Sequence, residues 1–379
     1  MNAKIRMRKR STSQYKAGTL DKGLEVLEAL ERASEPLRIH DVVEATGIER
    51  AAVFRFLCTL EGRGYIERLS DKRYRAKLRR WRPRFGYLAP LSGNSFRHDV
   101  TVGLQDAAAK AGVELVMINS SPSHAGDSVE NVQVLLDAHV DLVVMFEPVN
   151  SLAHVLADRF ISAGLPVISV ETAVPGALFL GGNSYRAGNL AGQALGVFAR
   201  DKWNSSFDKL LLLESSLAAP ANQARLSGTV DGLREILGDI PQSKILHLDG
   251  LAHSEASLSA CIKAFGLLPP KNRLLISAFN DLSAIGALNA LRTSKREKWA
   301  AIVGQNGTAE SRKELLREDS PLIASVAYFP EKYGEKLIRL ALAVLHREQT
   351  PLAVYTEHVL LNHDNISRYY PREAELRLH

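Results

Sequence analysis

Cysteine is nearly absent from this 379-residue chain: Cys58 and Cys261 stand alone in separate segments. Two distant thiols exclude a disulfide framework and a cysteine-rich zinc site. No run of 18 apolar residues exists, so no membrane-spanning helix is expected. The basic N-terminus is not followed by an apolar stretch of signal-peptide type, which makes the cytoplasm the expected compartment. Walker A and GxSxG sequences are missing. The nearest glycine cluster, Gly181-Gly182-Asn183-Ser184-Tyr185-Arg186-Ala187-Gly188, is not GxGxxG. The eleven histidines show no metal-ligand spacing: His247 and His253 are six apart, His358 and His363 five. No metal and no cofactor are therefore expected. These absences count against an enzyme. The alternative reading that remains is an enzyme acting on a sugar or phosphorylated small molecule in an α/β body.

What is present is a charge imbalance. Residues 1–88 carry 21 Lys+Arg against 11 Asp+Glu, whereas the whole chain is only +6, so the remainder is slightly acidic. Basic charge confined to one end suits phosphate binding and makes affinity salt-dependent. With 46% hydrophobic and 24% charged residues the chain can bury an ordinary core, and its length allows two or three lobes.

The basic end has an order of its own. Residues 1–18 read as a polar, basic arm, and Leu20–Arg32 as a helix with Leu20, Leu24, Leu27 and Leu30 on one stripe. Glu35-Pro36 breaks that helix. Ile39, Val42 and Val43 then mark a second helix, which Gly47 ends because glycine tolerates the left-handed turn. A third helix, Glu49–Leu60, carries Ala52, Val53, Phe56, Leu57 and Leu60 on its core face. Strands Tyr65–Leu69 and Arg73–Arg75 enclose the turn Ser70-Asp71-Lys72. Two short helices, a tight turn and a basic hairpin place one helix in a major groove and a wing on the phosphates. An ordinary α+β lobe or a protein-binding winged helix has the same outline; the basic excess favours DNA. Arg50, Arg55, Lys72, Arg73 and Arg75 are the candidate DNA contacts. Residues 77–84 read as a basic linker: either a solvated connector or a segment lying along DNA between the halves of a dimer.

Thr19-Leu20-Asp21-Lys22-Gly23-Leu24-Glu25-Val26-Leu27-Glu28, the helix-turn-helix and Gly64-Tyr65-Ile66-Glu67-Arg68 together resemble the DNA-binding domain of IclR-type regulators. Arg55 matches that family's mid-helix Arg. Glu49, Ala51 and Ala52 depart from its Pro and Ser/Thr positions, which shifts the expected contacts to Arg50, Arg55 and the wing.

From Phe85 onward, Val/Ile/Leu-rich runs alternate with helical patterns. Nine strands are expected: Phe85–Leu91, Val113–Asn119, Val140–Phe146, Pro166–Val170, Lys209–Leu213, Ile245–Leu248, Arg273–Ala278, Ala301–Gly304 and Leu322–Val326. Strands apolar on both faces belong to parallel, doubly wound α/β sheets. So many strands suggest two lobes, with a cleft at the strands' carboxyl ends. The loops there hold Asn94, Phe96, Arg97, Glu171, Thr172, Arg225, Asn280, Asn306 and Tyr328. Amides, a carboxylate, guanidinium groups and aromatics suit a polyhydroxylated ligand; Asn and Ser are also ordinary turn residues.

Residues 85–370 resemble the type I periplasmic-binding-protein fold of sugar-binding proteins and of the ligand domain of LacI-type repressors. The resemblance rests on Asn94-Ser95-Phe96-Arg97, Pro166-Val167-Ile168-Ser169-Val170-Glu171, Gly182-Asn183-Ser184, Arg225, Phe279-Asn280-Asp281 with Ala284-Ile285-Gly286-Ala287, and Ile302-Val303-Gly304-Gln305-Asn306-Gly307. It implies one lobe of about 85–182 with 329–356, another of about 184–327 with 357–370, and three hinge crossings, Tyr328 closing the second. It also implies a sugar, polyol or sugar derivative as effector. Arg97 for an aromatic, Thr172 for an Arg and Asn306 for an Asp point to a more anionic ligand than a simple sugar. Both resemblances imply a homodimer on a near-palindromic DNA operator.

Overall fold

The structure, a computed structural model, describes residues 17–33, 35–76, 82–90, 94–119, 125–371 and 373, and divides between Trp81 and Arg82 into two compact units. Residues 1–16 of the expected basic arm, residues 77–81 of the expected linker, and Leu91 lie outside the described residues.

The first unit contains α1 (Gly18–Arg32), α2 (Ile39–Thr46), α3 (Arg50–Gly62), β1 (Ile66–Arg68) and β2 (Tyr74–Ala76). Helix α1 starts two residues before the expected Leu20, so Gly18 belongs to it rather than to an arm. Val26, Leu30, Val42, Ile48, Val53, Leu57, Ile66 and Tyr74 form one core. Gly47 sits in the left-handed region at φ 68°, and its N–H donates to the Val43 carbonyl at 2.8 Å. The Asp41 carboxylate accepts the Arg38 N–H at 2.7 Å and so covers one of the open donors at the start of α2. β1 and β2 pair antiparallel, Glu67 opposite Arg75. Leu37 exchanges two backbone bonds with Tyr74, which ties the chain ahead of α2 to the hairpin.

The second unit is built on two six-stranded sheets that share one strand order. One sheet runs β4 (Glu114–Asn119), β3 (Arg84–Ala89), β5 (Leu142–Met145), β6 (Val167–Val170), β7 (Leu178–Gly181), β13 (Ala353–Tyr355). The other runs β9 (Ile245–Asp249), β8 (Lys209–Glu214), β10 (Leu274–Ala278), β11 (Ala300–Asn306), β12 (Leu322–Ala327), β14 (Val359–Asn362). All neighbours are parallel except β12 and β14. β5 and β6, like β10, are buried throughout. That double burial is the reason for their nearly continuous apolar character, broken only by the buried Ser169 and Ser277, whose hydroxyls bond to the Thr172 carbonyl and to Thr229.

The chain passes between the lobes three times: from β7 into α7 (Ser184–Trp203), from β12 towards α12 (Tyr333–Leu345), and from β13 into β14. β7, β13 and β14 were not among the nine expected strands. They are only three or four residues long, and β13 and β14 lie at sheet edges, so their apolar runs are too short to separate strand from other buried segments.

Two of the layers around the sheets depend on close helix contact. α7 packs on α8 (Pro220–Leu237), and a Cβ on Gly192 would lie 2.0 Å from the Thr229 carbonyl oxygen. Only a glycine lets the two backbones approach that closely. α8 is the helix that carries Arg225.

Candidate ligand cleft and candidate DNA-binding face

The sequence placed Asn94, Phe96 and Arg97 in a loop, but helix α4 spans Ser95–Ala111 and puts the last two in its first turn. Asn94 is the cap, accepting the Arg97 N–H through Oδ1 at 2.8 Å. Short polar residues look alike as caps and as ligand groups. Arg225, grouped with the loop residues although within an expected helix Asn222–Leu237, lies within α8.

Four of the nine candidate residues converge. Phe96 is buried, with its ring edge-on to Phe146, Tyr328 and Tyr333 at 6.2, 6.2 and 5.8 Å. Arg225 is buried; its guanidinium lies 4.3 Å from the Phe279 ring centre and 5.8 Å from that of Tyr328. Its Nη1 donates to the Phe279 carbonyl, its Nη2 to the Ser184 hydroxyl at 3.3 Å. Its Nε has no hydrogen-bond partner, and no salt bridge pairs it, among the described residues. The Arg225 charge acts on the Glu171 carboxyl.

Glu171 itself faces the hinge. Its Oε1 accepts the Gly182 N–H at 3.0 Å and the Tyr333 hydroxyl at 2.5 Å. Burial pushes this carboxyl above its ordinary value, against the Tyr333 bond and the Arg225 charge. Its backbone is left-handed at φ 62°. The first crossing is held again where the Asn183 N–H donates to His358 Nε2 at 2.9 Å. The His358 and Tyr328 rings meet at 4.4 Å. Burial lowers the His358 pKa to about 4, so the ring is neutral. A Cβ on Gly182 would strike the Tyr328 ring at 2.1 Å, so glycine is required where the first two crossings touch.

Most of the remaining candidates are held by the protein's own groups. Both ends of the Asn280 amide are engaged: Oδ1 accepts the Ser283 N–H at 2.8 Å, and Nδ2 donates to the Ala252 carbonyl at 3.0 Å. The buried Thr172 hydroxyl donates to the Glu147 carbonyl at 2.8 Å. Arg97 is partly buried near Glu147, and burial lowers its pKa against the pull of that carboxylate. Asn306 closes β11 in the left-handed region at φ 106°, its carbonyl accepting the Tyr328 N–H at 3.2 Å. Phe146, Tyr333 and His358 were not singled out as site residues from the sequence, and Phe279 stood only as the first residue of the Phe279-Asn280-Asp281 motif. Phe146 and Phe279 directly follow apolar strands, which was a usable signal; Tyr333 and His358 gave none.

The lobes also touch through other pairs. The Ser95 hydroxyl donates to Glu310 at 2.7 Å, and Asn222 Nδ2 to the Glu171 carbonyl at 3.0 Å. Asp281 is buried, and its Oδ2 accepts from the Thr308 N–H and the Ser311 hydroxyl, each at 2.7 Å. Ser325 donates to its Oδ1, and burial raises its pKa to about 6. Among the described residues, no group of three or more His, Cys, Asp or Glu is arranged to hold a metal ion and no helix is long and apolar enough to cross a membrane.

In the first unit the outward face of α3 exposes Arg50 and Arg55, and Lys72 is exposed at the hairpin turn. These three carry no ion pair among the described residues. The two other candidates are matched on the hairpin itself: Arg73 to Asp71, and Arg75 to Glu67 through Nε at 2.9 Å.

The comparisons with known proteins follow this division. A model described as periplasmic binding protein domain matches residues 85–349, and one described as IclR helix-turn-helix domain matches residues 19–70. No curated protein matches the sequence. Among solved structures, the chain is similar to a periplasmic solute-binding protein of an ABC transporter from Actinobacillus succinogenes 130z with bound D-allose. The two are 16% identical at a TM-score of 0.65, over 76% of this chain and 100% of that one. A protein from Mycobacterium smegmatis in complex with β-D-fucofuranose is 20% identical at 0.65, over 78% and 97%. An Agrobacterium vitis solute-binding protein with α-D-tagatopyranose is 14% identical at 0.66, over 77% and 98%. A helix-turn-helix joined to a solute-binding fold fits a ligand-responsive DNA-binding regulator. The chain belongs to the periplasmic binding protein domain family, and an IclR helix-turn-helix domain precedes that domain.

Proposed function

We propose that this protein is a transcription regulator whose operator affinity is set by a sugar, polyol or sugar derivative bound between the two lobes of the second unit. Arg225 carries the ligand half of the reading. A buried guanidinium without a carboxylate partner is costly, and it is kept where a ligand supplies acceptors. Here it is framed by Phe279 and Tyr328, whose rings suit the apolar face of a sugar, while Nε remains an unused donor. The sugars named for the similar solved structures agree with this class.

Glu171 Oε1 is taken up by the Gly182 N–H and the Tyr333 hydroxyl and forms no salt bridge with Arg225, which favours a ligand with an acidic or strongly accepting group. The lobes would close about the three crossings, and a homodimer in the cytoplasm would pass that change to two DNA-binding units on a near-palindromic operator. A ligand shifts such an equilibrium only by its differential affinity for the two states.

The test is a thermal-shift panel on the full chain with pentoses, hexoses, polyols, sugar acids and sugar phosphates. A true effector at a hundredfold excess over its Kd stabilises by about 2.7 kcal/mol. A hit retained in Arg225→Ala would contradict the site, and no hit across the panel would contradict the ligand class.

A further inference from the structure

We propose that Phe54 contacts the 5-methyl groups of thymine when α3 enters a major groove, so that sequence preference rests partly on an apolar contact. The inference rests on the DNA-binding reading above. Helix α3 buries Val53 and Leu57 and half-buries Ala52, Phe56 and Leu60. The opposite face presents Arg50, Ala51, Phe54, Arg55 and Cys58. The one hydroxyl beside it, that of Thr59, donates to the Arg55 carbonyl at 2.9 Å. The helix interior thus offers no amide side chain for adenine; its polar readers are two arginines, which suit guanine.

Phe54 is 50% exposed in the middle of this face, at the edge of a groove of about 570 Å³ between α3 and the hairpin. Arg50, Arg68 and Lys72 line that groove against the single carboxylate of Glu49. A cationic rim around an apolar ring complements a polyanion with methyl groups on its surface. A second copy of the same face would set cation against cation. Duplex DNA is therefore the occupant, and thymine is the base that offers an apolar group in the major groove.

The experiment uses the full chain and a duplex selected from a library with a randomised core. Each thymine is then replaced singly by deoxyuridine, which deletes the methyl group and keeps the pairing with adenine. The wild type should lose about fourfold in affinity for each contacted methyl. Phe54→Ala should bind the parent duplex more weakly and show no loss at those positions, whereas Phe54→Leu should retain part of it. Indifference of the wild type to every replacement, with a sequence still selected, overturns the proposal and leaves DNA recognition standing. The same losses in Phe54→Ala as in the wild type also overturn it. Failure to select any sequence removes the DNA reading as well. A change of oligomeric state in Phe54→Ala by sedimentation, without altered base preference, would assign the face to a second copy and overturn the proposal.

Discussion

The Tyr333 hydroxyl donates to the Glu171 carboxylate at 2.5 Å, and that bond joins the strand loop after β6 to the residue that follows the second lobe crossing. The same oxygen accepts the Gly182 N–H on the first crossing, so one carboxylate holds two of the three hinge segments. Replacing it separates shape from charge. Glu171→Gln keeps an oxygen that accepts both bonds and should stay close to wild-type stability. Glu171→Ala leaves both donors unpaired and should lose about 2 kcal/mol. Urea unfolding measures both; equal losses would contradict the hinge role.

A second prediction concerns pH. The folded protein holds His358 neutral, with a pKa of about 4 against an ordinary 6.5. Below 6.5 the unfolded ring takes up a proton that the folded ring refuses. Stability should therefore fall as pH drops from 6.5 to 4, by about 3 kcal/mol at the lower limit. His358→Gln keeps an acceptor for the Asn183 N–H and removes the titration. Denaturant midpoints from pH 7.5 to 4.5 should diverge between the two proteins, the wild type falling faster; parallel curves would show that the ring titrates freely.

The contact of α7 with α8 gives a third. Gly192→Ala places a methyl 2.0 Å from the Thr229 carbonyl oxygen, backbone that cannot swing aside, and should cost about 3 kcal/mol or more. A Cβ on Gly266 meets nothing within 4 Å, so Gly266→Ala should be neutral or slightly stabilising. Because α8 also carries Arg225, ligand binding should weaken in the first variant and not in the second.

On the DNA face, Arg55→Ala and Lys72→Ala should weaken binding more than Arg73→Ala. Arg73 already shares its charge with Asp71, whereas the other two have no carboxylate partner among the described residues. Each lost phosphate contact should flatten the salt dependence by about one in slope. Fluorescence anisotropy at several salt concentrations would show this, and an equal loss in all three would remove the distinction.

How much of this could be read beforehand follows from what each residue answers to. Gly47, Ile48 and the Val53/Leu57 spacing answer to local rules of turn and helix, and the first unit follows them closely. The strands β5, β6 and β10 announce themselves because burial on both faces demands nearly continuous apolar runs. β13 and β14 stay silent because apolar runs of three or four residues are too short to be told from other buried segments. At the site, Arg225 and Phe96 stood out by spacing within a resemblance. The same spacing marked Asn94 and Asn280, whose amides serve as helix caps, since one side chain suits both tasks. Tyr333 and His358 come from distant crossings, and only the folded hinge brings them to Glu171 and Asn183.

The central claim is that ligand binding between the lobes changes operator affinity. The direct measurement is the operator Kd of the full chain, with and without a saturating hit from the sugar and polyol panel, for the wild type and Arg225→Ala. A shift of about tenfold corresponds to a coupling of about 1.4 kcal/mol, within the ordinary range for linked sites. The account predicts such a shift in the wild type, its loss in Arg225→Ala, and unchanged affinity of that variant for DNA without ligand. A ligand that binds the wild type tightly and leaves the operator Kd where it was would contradict it.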